Sequence, residues 1–277
     1  MLDMEAAIRC SMAYIPGRNR NKEEKDPSPD DKGDRRSHRR DDDLDIQKLK
    51  TAYESLEVAH KEIRESHIEM IMNLAIAAEY KDPDTGNHIL RISDYSTELA
   101  KMLGLSDDDR EVLRYASPMH DIGKIGIPDR ILQKPGKLTP EEWEIMKQHT
   151  EIGWRMFCNS KSPLLKAVAD IALSHHERFD GTGYPHGKKG NEIPLFGRIV
   201  AIADIFDAVV SERCYKKEWS FTEGIDYIQS LAGTHLDPEL VLVFIQNKKQ
   251  VGDIYDANVT IQKYIHEFKN QKPDTNR

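Results

Sequence analysis

Apolar residues recur at helical spacing through most of this chain, and this period constrains the fold more than any other feature of the sequence. From residue 44 onward they return every three or four positions, and long runs with a period of two are absent. Such spacing places apolar side chains on one face of an α-helix, which must then pack against other helices. Two of the stripes are Ile92, Tyr95, Leu99 and Met102, and Ile199, Ile202, Phe206 and Val209. The sequence therefore predicts an all-α fold.

Capping residues indicate where three of these helices begin. Ser106 precedes three aspartates, Thr139 precedes a proline and two glutamates, and Asp237 also precedes a proline. A short side chain that carries an oxygen bonds to the free amides of the first turn, and proline suits the first helical position. We therefore expect helices to begin directly after these three residues.

The N-terminal part of the chain has a different composition. Residues 18–43 contain no hydrophobic residue and have nothing to bury, so we predict that residues 1–43 are disordered. Residues 44–80 are predicted to form a connector helix. Apolar residues recur every seven positions along it and form one row on its surface: Leu49, Leu56, Ile63, Met70 and Ala77. A neighbouring row is small or polar: Ala52, Ala59, Ser66 and Asn73. Two alternatives stay open, a dimeric coiled coil and a helix docked on its own domain.

Charge and composition exclude several classes of protein. The formal net charge of −8 argues against DNA binding. The longest unbroken apolar run, Leu240 to Ile245, is too short to span a membrane. The three cysteines have no metal-like spacing and indicate reduced thiols, and the N-terminus carries no secretory signal. The sequence therefore predicts a cytoplasmic protein without a membrane span.

Histidines and aspartates form a pattern that packing does not require. Its members are His88, His120, Asp121, His149, His175, His176 and Asp204. They offer nitrogen and oxygen ligands without sulfur, and they are too many for one ion. The set suits two ions bridged by a shared carboxylate, and its hard ligands favour iron or manganese.

Helical geometry supports the convergence of these residues. His175 continues the apolar stripe of a helix predicted over 163–177, so its imidazole should point inward. Asp204 lies four residues from both Val200 and Ala208, where a carboxylate is costly unless it is paired or bound to a metal. The alternative is that each histidine is an ordinary hydrogen-bonded core residue. The joint pattern favours a metal centre.

Several longer strings resemble the HD-GYP phosphohydrolases. HDIGKIGIPDRIL at 120–132 and HHERFDGTGYP at 175–185 carry the two signatures of that family. The further matching blocks are EYKDPDTGNHILRISDY at 79–95, DIFDAVVSERCYKK at 204–217 and GTHLDPELV at 233–241. The resemblance runs from about residue 68 to 245, with the blocks in order. It implies an HD-domain helical bundle with a GYP loop, and we place this catalytic domain at residues 68–270.

The resemblance also implies an activity and its cofactors. Members of the family hydrolyse cyclic di-GMP to linear pGpG, and in some cases on to GMP, through a metal-bridged hydroxide. The ligands implied are His88, His120, Asp121, His149, His175, His176 and Asp204, with Asp121 as the catalytic, bridging carboxylate. Members with a third ion have an acid, usually glutamate, four residues before the first ligand histidine. The residue here is Asp84, one methylene shorter, so a third ion stays an open alternative to two.

Further residues are implied to handle the substrate. Lys124, one turn after His120, would be a catalytic residue that points at the scissile phosphate. The other substrate-binding residues would be Asp180, Gly183, Tyr184, Pro185, Arg213 and Lys216. In some members the GYP loop also contacts proteins that synthesise cyclic di-GMP, so such proteins are candidate partners.

Two other functions stay open. One is a signalling adaptor that binds a cyclic dinucleotide or a partner protein without turnover. Relatives of that kind often lose His120, Asp121 or part of the GYP loop, which are all present here. The other is a phosphodiesterase for another cyclic dinucleotide, such as a mixed cyclic GMP-AMP, because base selectivity depends on pocket groups that the sequence does not place.

Overall fold

The computed structural model describes residues 31–79, 81, 88–211 and 219–258, with side chains from residue 44 onward except that of Glu79. Within these ranges the chain forms helices and no strand, apart from one isolated bridge between Ala232 and Leu236. The predicted all-α fold is therefore confirmed. None of the described helices combines the length and the apolar character needed to cross a bilayer.

The described residues form eleven α-helices. They are α1 (Asp31–Glu79), α2 (His88–Met102), α3 (Asp107–Ala116), α4 (Asp129–Leu132), α5 (Pro140–Lys147), α6 (His149–Phe157), α7 (Pro163–Ser174), α8 (Leu195–Val210), α9 (Phe221–Ser230), α10 (Pro238–Gln246) and α11 (248–258). Short 3-10 turns lie at Ser117–Met119, Ile122–Gly126 and Gly190–Glu192.

The three predicted helix starts are confirmed at the level of their caps. The Ser106 hydroxyl accepts a hydrogen bond from the Asp109 amide at 3.1 Å, at the start of α3. Thr139 and Glu142 form a reciprocal capping box at the start of α5. The Asp237 carboxylate accepts from amides in the first turn of α10. In each case a side chain satisfies amides that have no partner within the helix.

The first helix begins earlier than predicted. Residues 31–43, which we expected to be disordered, belong to α1, and residues 1–30 lie outside the described residues. Extending an existing helix costs little free energy per residue, so the helix of residues 44–79 can extend toward the N-terminus into a polar segment that has no core. The chain divides into two compact units between Glu62 and Ile63. The side chains of residues 44–62 in the first unit are exposed.

The core of the second unit centres on α8, which packs against both α2 and α7. The predicted stripe of α2 is buried at Ile92, Tyr95 and Leu99. Tyr95 meets Phe206 of α8 edge to face, with ring centroids 5.2 Å apart. Burying such a side chain contributes about 1.5–3 kcal/mol, so this core fixes how the three helices sit against each other.

One predicted helix end differs from the observed one. Helix α7 ends at Ser174, whereas the sequence suggested that it continues to residue 177. The histidine pair therefore lies at the C-terminal end of the helix, where the chain turns into the long loop that leads to α8. His175 keeps a right-handed helical conformation as the C-cap, so its side chain still follows the buried face of α7.

Candidate metal centre

Three buried histidines are oriented by the backbone. The Nδ1 atoms of His120, His149 and His175 lie 3.0, 2.8 and 3.1 Å from carbonyl oxygens of Ser117, Met146 and Ile171. A carbonyl oxygen can only accept, so each Nδ1 carries the proton and donates it. Each Nε2 atom then presents a lone pair, which is the form of imidazole that binds metals.

The predicted ligands gather in two adjoining clusters. The first holds Asp121, His149, His175 and His176, and the second holds His88, His120 and Asp204; the ligand atoms of each cluster lie within 4.8 Å of one another. Asp121 joins the two clusters. Its Oδ1 atom lies 3.3 Å from His149 Nε2, and its Oδ2 atom lies 3.3 Å from His120 Nε2. One carboxylate therefore offers an oxygen to each cluster.

Orphaned polar atoms test whether these residues fit a metal. The Nε2 atoms of His149 and His175 and the Oδ1 atom of Asp121 are buried and make no hydrogen bond within the described part of the chain. Each such atom costs about 1–3 kcal/mol when it is left without a partner. Since both imidazoles are protonated at Nδ1, their lone pairs face the carboxylate oxygen, and a cation would satisfy all three atoms. The residues therefore fit a divalent metal ion.

Burial sets the protonation states in the first cluster. It lowers the pKa of His149 to about 4, and together with the neighbouring histidines it holds the pKa of His176 well below its ordinary value. Burial alone would raise the pKa of Asp121, but the charge of Lys124 and the contact with His120 outweigh it and hold the pKa well below the ordinary value. At neutral pH His149 and His176 are therefore neutral imidazoles, and Asp121 is a charged carboxylate.

Lys124 lies at the edge of the centre. It sits on the short turn Ile122–Gly126, directly after the His120–Asp121 pair. Its Nζ atom is 2.9 Å from Asp121 Oδ2, and 23% of its side chain is exposed. An ammonium group in this position can reach both the carboxylate and an anion that approaches from solvent.

The GYP loop lies beside the first cluster. The ring centroid of Tyr184 is 4.8 Å from that of His176, and Tyr184 and Pro185 line a cavity of about 400 Å³ next to α5 and α6. Asp180 holds the loop internally, because its Oδ1 atom accepts from the amide of Thr182 at 2.9 Å and from its hydroxyl at 2.6 Å. A Cβ atom at Gly183 would lie 2.2 Å from a backbone nitrogen, so only glycine fits there.

Three predicted site residues lie outside the described residues. They are Asp84, Arg213 and Lys216. A third ion at Asp84 and the phosphate contacts of the two cations therefore stay predictions.

Two buried carboxylates near the centre were not among the predicted site residues. Glu177 is 2% exposed and accepts hydrogen bonds from the amides of His186 and Lys188, at 2.9 and 3.0 Å. Asp207 is fully buried behind His88. The sequence carried a signal for each: Glu177 directly follows the histidine pair, and Asp207 repeats Asp204 after one helical turn.

Glu177 is expected to hold the GYP loop against the metal centre. In Glu177→Ala the two amides lose their buried acceptor, at a cost of about 1–3 kcal/mol each. We expect faster hydrogen exchange at the amides of His186 and Lys188, measured by NMR or mass spectrometry. Glu192→Ala is the matched control, because its carboxylate accepts from the exposed Lys189 amide at 3.1 Å in the same loop. Equal protection of the two amides in Glu177→Ala and the unaltered chain would contradict this role.

The fold and the site together define a class of protein. A helical bundle that brings five imidazoles and two carboxylates from separate segments to one buried point has the architecture of a metal-dependent phosphohydrolase domain. The sequence model of the family described as HD domain matches residues 69–240. The chain belongs to the HD-domain family, and its GYP loop places it in the HD-GYP branch.

Curated relatives give the family its context. The chain is 50% identical over 187 residues to a cyclic di-GMP phosphodiesterase of Thermotoga maritima, covering 68% of this chain and 51% of that protein. It is 42% identical to the cyclic di-GMP phosphodiesterase response regulator RpfG of Xanthomonas campestris pv. campestris, covering 70% and 51%. It is 41% identical to 3'3'-cGAMP-specific phosphodiesterase 2 of Vibrio cholerae, covering 67% and 36%. The chain thus spans about half or less of the length of these relatives.

A solved structure supports the fold. The crystal structure of a cyclic GMP-AMP specific phosphodiesterase of Vibrio cholerae, V-cGAP3, matches with a TM-score of 0.53 at 20% sequence identity. The match covers 70% of this chain and 53% of that one. At this identity the likeness concerns the fold alone.

Proposed function

We propose that this chain hydrolyses a phosphodiester bond of cyclic di-GMP to give the linear dinucleotide pGpG, with further cleavage to GMP as an open alternative. The observation that carries the proposal is the placement of Asp121, whose two oxygens face two adjoining ligand clusters. The names of relatives that are 50% and 42% identical support the substrate. The presence of His120, Asp121 and the GYP loop speaks against an adaptor that binds without turnover.

A mixed cyclic GMP-AMP is the second candidate substrate. The relative from Vibrio cholerae that is 41% identical to this chain is named for that specificity. Both substrates carry the same bridging phosphodiesters, so the catalytic centre would serve either, and the choice would depend on groups that contact the bases.

The predicted ligands would hold two divalent ions. One would lie among Asp121, His149, His175 and His176, the other among His88, His120 and Asp204, with Asp121 shared. The mixture of imidazole and carboxylate without thiolate supports iron or manganese. When bound, such ions supply a nucleophile near neutral pH by lowering the pKa of water, and they offset charge on the phosphate.

The residues of the chain would bind and orient the phosphate. The ammonium of Lys124, 2.9 Å from Asp121, would offset charge on the phosphate or on the leaving oxygen. Tyr184 and Pro185 would form one wall of the substrate cleft and shield the first cluster from bulk water. Arg213 and Lys216, outside the described residues, would contact the phosphate from the segment that follows α8.

The direct test is to measure metal content and products together. The chain is purified without oxygen, its iron and manganese are quantified, and products of cyclic di-GMP and of mixed cyclic GMP-AMP are separated by chromatography. We expect about two ions per chain and conversion of cyclic di-GMP to pGpG or GMP. Metal-loaded protein that leaves both dinucleotides intact would contradict the proposal.

We also propose that α1 pairs with α1 of a second copy. Leu49 and Leu56 are 58% and 63% exposed. Ile46 and Tyr53, each three residues earlier, are 39% and 47% exposed and complete the repeat of alternating three and four residues. Over residues 46–56 this row is more apolar than the Ala52 row considered from the sequence, and it continues as His60, His67 and Leu74. Exposed apolar residues in such a repeat are typical of a coiled-coil seam. The spacing of the three cysteines, which is typical of reduced thiols, supports a cytoplasmic protein. The GYP loop is the segment that would contact enzymes of cyclic di-GMP synthesis.

Charge on this seam should separate the pair. In the double variant Leu49→Lys and Leu56→Lys, four lysines would face one another in a dimer, and we expect a monomer by size-exclusion chromatography with light scattering. The matched control is Thr51→Lys with Val58→Lys, which adds the same charge two positions further on, at the opposite side of the helix. A strictly monomeric unaltered chain at high concentration would contradict the pairing.

A further inference from the structure

The buried carboxylate of Asp207 lies directly behind the second ligand cluster. Its Oδ2 atom is 2.6 Å from His88 Nδ1 and 2.9 Å from a terminal nitrogen of Arg91. Its Oδ1 atom accepts from Arg91 Nε and, at 3.1 Å, from the Ser211 hydroxyl. Only 1% of the Asp207 side chain is exposed. Both oxygens of this buried charge are therefore bonded, as a stable buried carboxylate requires.

His88 is held differently from the three histidines that donate to backbone carbonyls. Its Nδ1 partner is a carboxylate, which also can only accept, so Nδ1 carries a proton, and in the neutral ring the lone pair lies on Nε2. That Nε2 atom is 3.5 Å from Asp204 Oδ1, within the second cluster. A charged partner fixes the ring more strongly than a carbonyl and makes the imidazole a better electron donor.

The two helices that carry these residues are arranged reciprocally. Arg91 follows His88 by three positions on α2, and Asp207 follows Asp204 by three positions on α8. Residues at this spacing share a helix face. Each helix thus supplies one predicted ligand and one member of a buried ion pair that joins the helices behind the ligands.

We propose that Asp207 is a positioning residue for the metal centre. It fixes the tautomer and the orientation of His88, and it thereby sets the affinity of the His88, His120 and Asp204 cluster for a divalent cation. Asp207 is buried, and among the candidate ligands it contacts His88. The inference rests on the metal centre of the proposed function and is independent of which dinucleotide is cleaved.

The test is isothermal titration calorimetry, in which Mn²⁺ is added to the metal-free full chain in the absence of substrate. His88→Ala and His149→Ala first identify which binding event belongs to which cluster. In Asp207→Asn we expect the event that His88→Ala removes to weaken by about 10- to 100-fold, the usual effect of losing such a supporting group. The event that His149→Ala removes should keep its affinity. Ser211→Ala is the matched control, because it removes a bond to Oδ1 and leaves the Oδ2 contact with His88 in place.

Three other outcomes of the Mn²⁺ titration would contradict either the positioning role of Asp207 or the metal centre. Unchanged affinity at both events in Asp207→Asn would overturn the positioning role and leave the metal centre intact. Equal weakening of both events would also overturn it, because that is the effect of a general loss of structure. If the unaltered chain bound no Mn²⁺, the proposed metal centre itself would fail.

A measurement on the unaltered metal-free chain covers the case in which Asp207→Asn does not fold. Nitrogen-15 NMR of the imidazoles distinguishes a proton on Nδ1 from a proton on Nε2. At pH 8 we expect the His88 signal to report the Nδ1–H form. An Nε2–H form would overturn the proposal, because the Asp207 carboxylate would then have no proton to accept from His88.

Discussion

Replacing Asp121 with alanine is expected to abolish hydrolysis of cyclic di-GMP. The side chain offers one oxygen to each ligand cluster, at 3.3 Å from His149 Nε2 and from His120 Nε2, and its Oδ2 atom also holds Lys124. The variant therefore loses the shared ligand and the partner of the nearby ammonium at once. Ligation of this kind supplies several kcal/mol of transition-state stabilisation, and about 4 kcal/mol corresponds to about 10³-fold in rate. We expect a fall in kcat of at least that size.

The measurement is product formation under metal-saturating conditions, with circular dichroism to verify the fold. Asp129→Ala is the matched control, because it removes a carboxylate from the same stretch of chain. The Asp129 side chain is 68% exposed and pairs with Lys81 at the surface, so turnover should stay near that of the unaltered chain. Full turnover in Asp121→Ala would refute the assignment of the active site.

Adding one methyl group at Gly123 is expected to disrupt both the fold and the site. A Cβ atom there would lie 1.9 Å from the carbonyl oxygen of His149 and 2.6 Å from the backbone nitrogen of Gly153. These are backbone atoms of α6 and cannot rotate away, so α6 must shift or the turn that carries Lys124 must move. Overpacking a core costs about 1–3 kcal/mol, and contact with backbone places this case at the upper end.

Thermal unfolding measures the effect on stability. For a domain of this size about 2–4 °C are lost per kcal/mol, so we expect Gly123→Ala to melt roughly 6–12 °C lower and to bind metal more weakly. Gly252→Ala is the matched control: it lies within α11, and the atoms nearest to its added Cβ would be Phe221 ring atoms, at 3.5 Å or more. Alanine is the better helix former, so that variant should be as stable as the unaltered chain or more so. Equal melting temperatures of the two variants would contradict the close packing of α6 on the turn.

Much of the metal centre could be predicted from residue types and their order. His120, Asp121, His149, His175 and His176 stood out because nitrogen and oxygen ligands recurred where apolar packing did not require them. Their assembly could not be derived from spacing alone, because they belong to different helices and turns. It was the motif blocks of a known family that joined them into one set before any geometry was available.

Some errors came from features that local sequence does not encode. The start of α1 at Asp31 depends on cooperative extension of a helix, which composition alone understates. The end of α7 at Ser174 depends on where the following loop packs, although the apolar stripe continues beyond it. In α1 two rows flank the row of Leu49 and Leu56. The row three residues later contains Ala52 and Ala59, and it was the one considered from the sequence. The row three residues earlier contains Ile46 and Tyr53, which are larger and apolar.

The sequence by itself determined the helical class, the three capped helix starts and the residue types of the candidate ligands, because helical period, capping and side-chain chemistry are local properties. Only the tertiary structure decided that Asp121 stands between two clusters, that Glu177 anchors the GYP loop and that Asp207 supports His88. Those relations join residues that lie far apart in the chain; Asp207 and His88 are 119 positions apart. The packing of α2, α7 and α8 sets such distances, and that packing arises from the whole core rather than from any one segment.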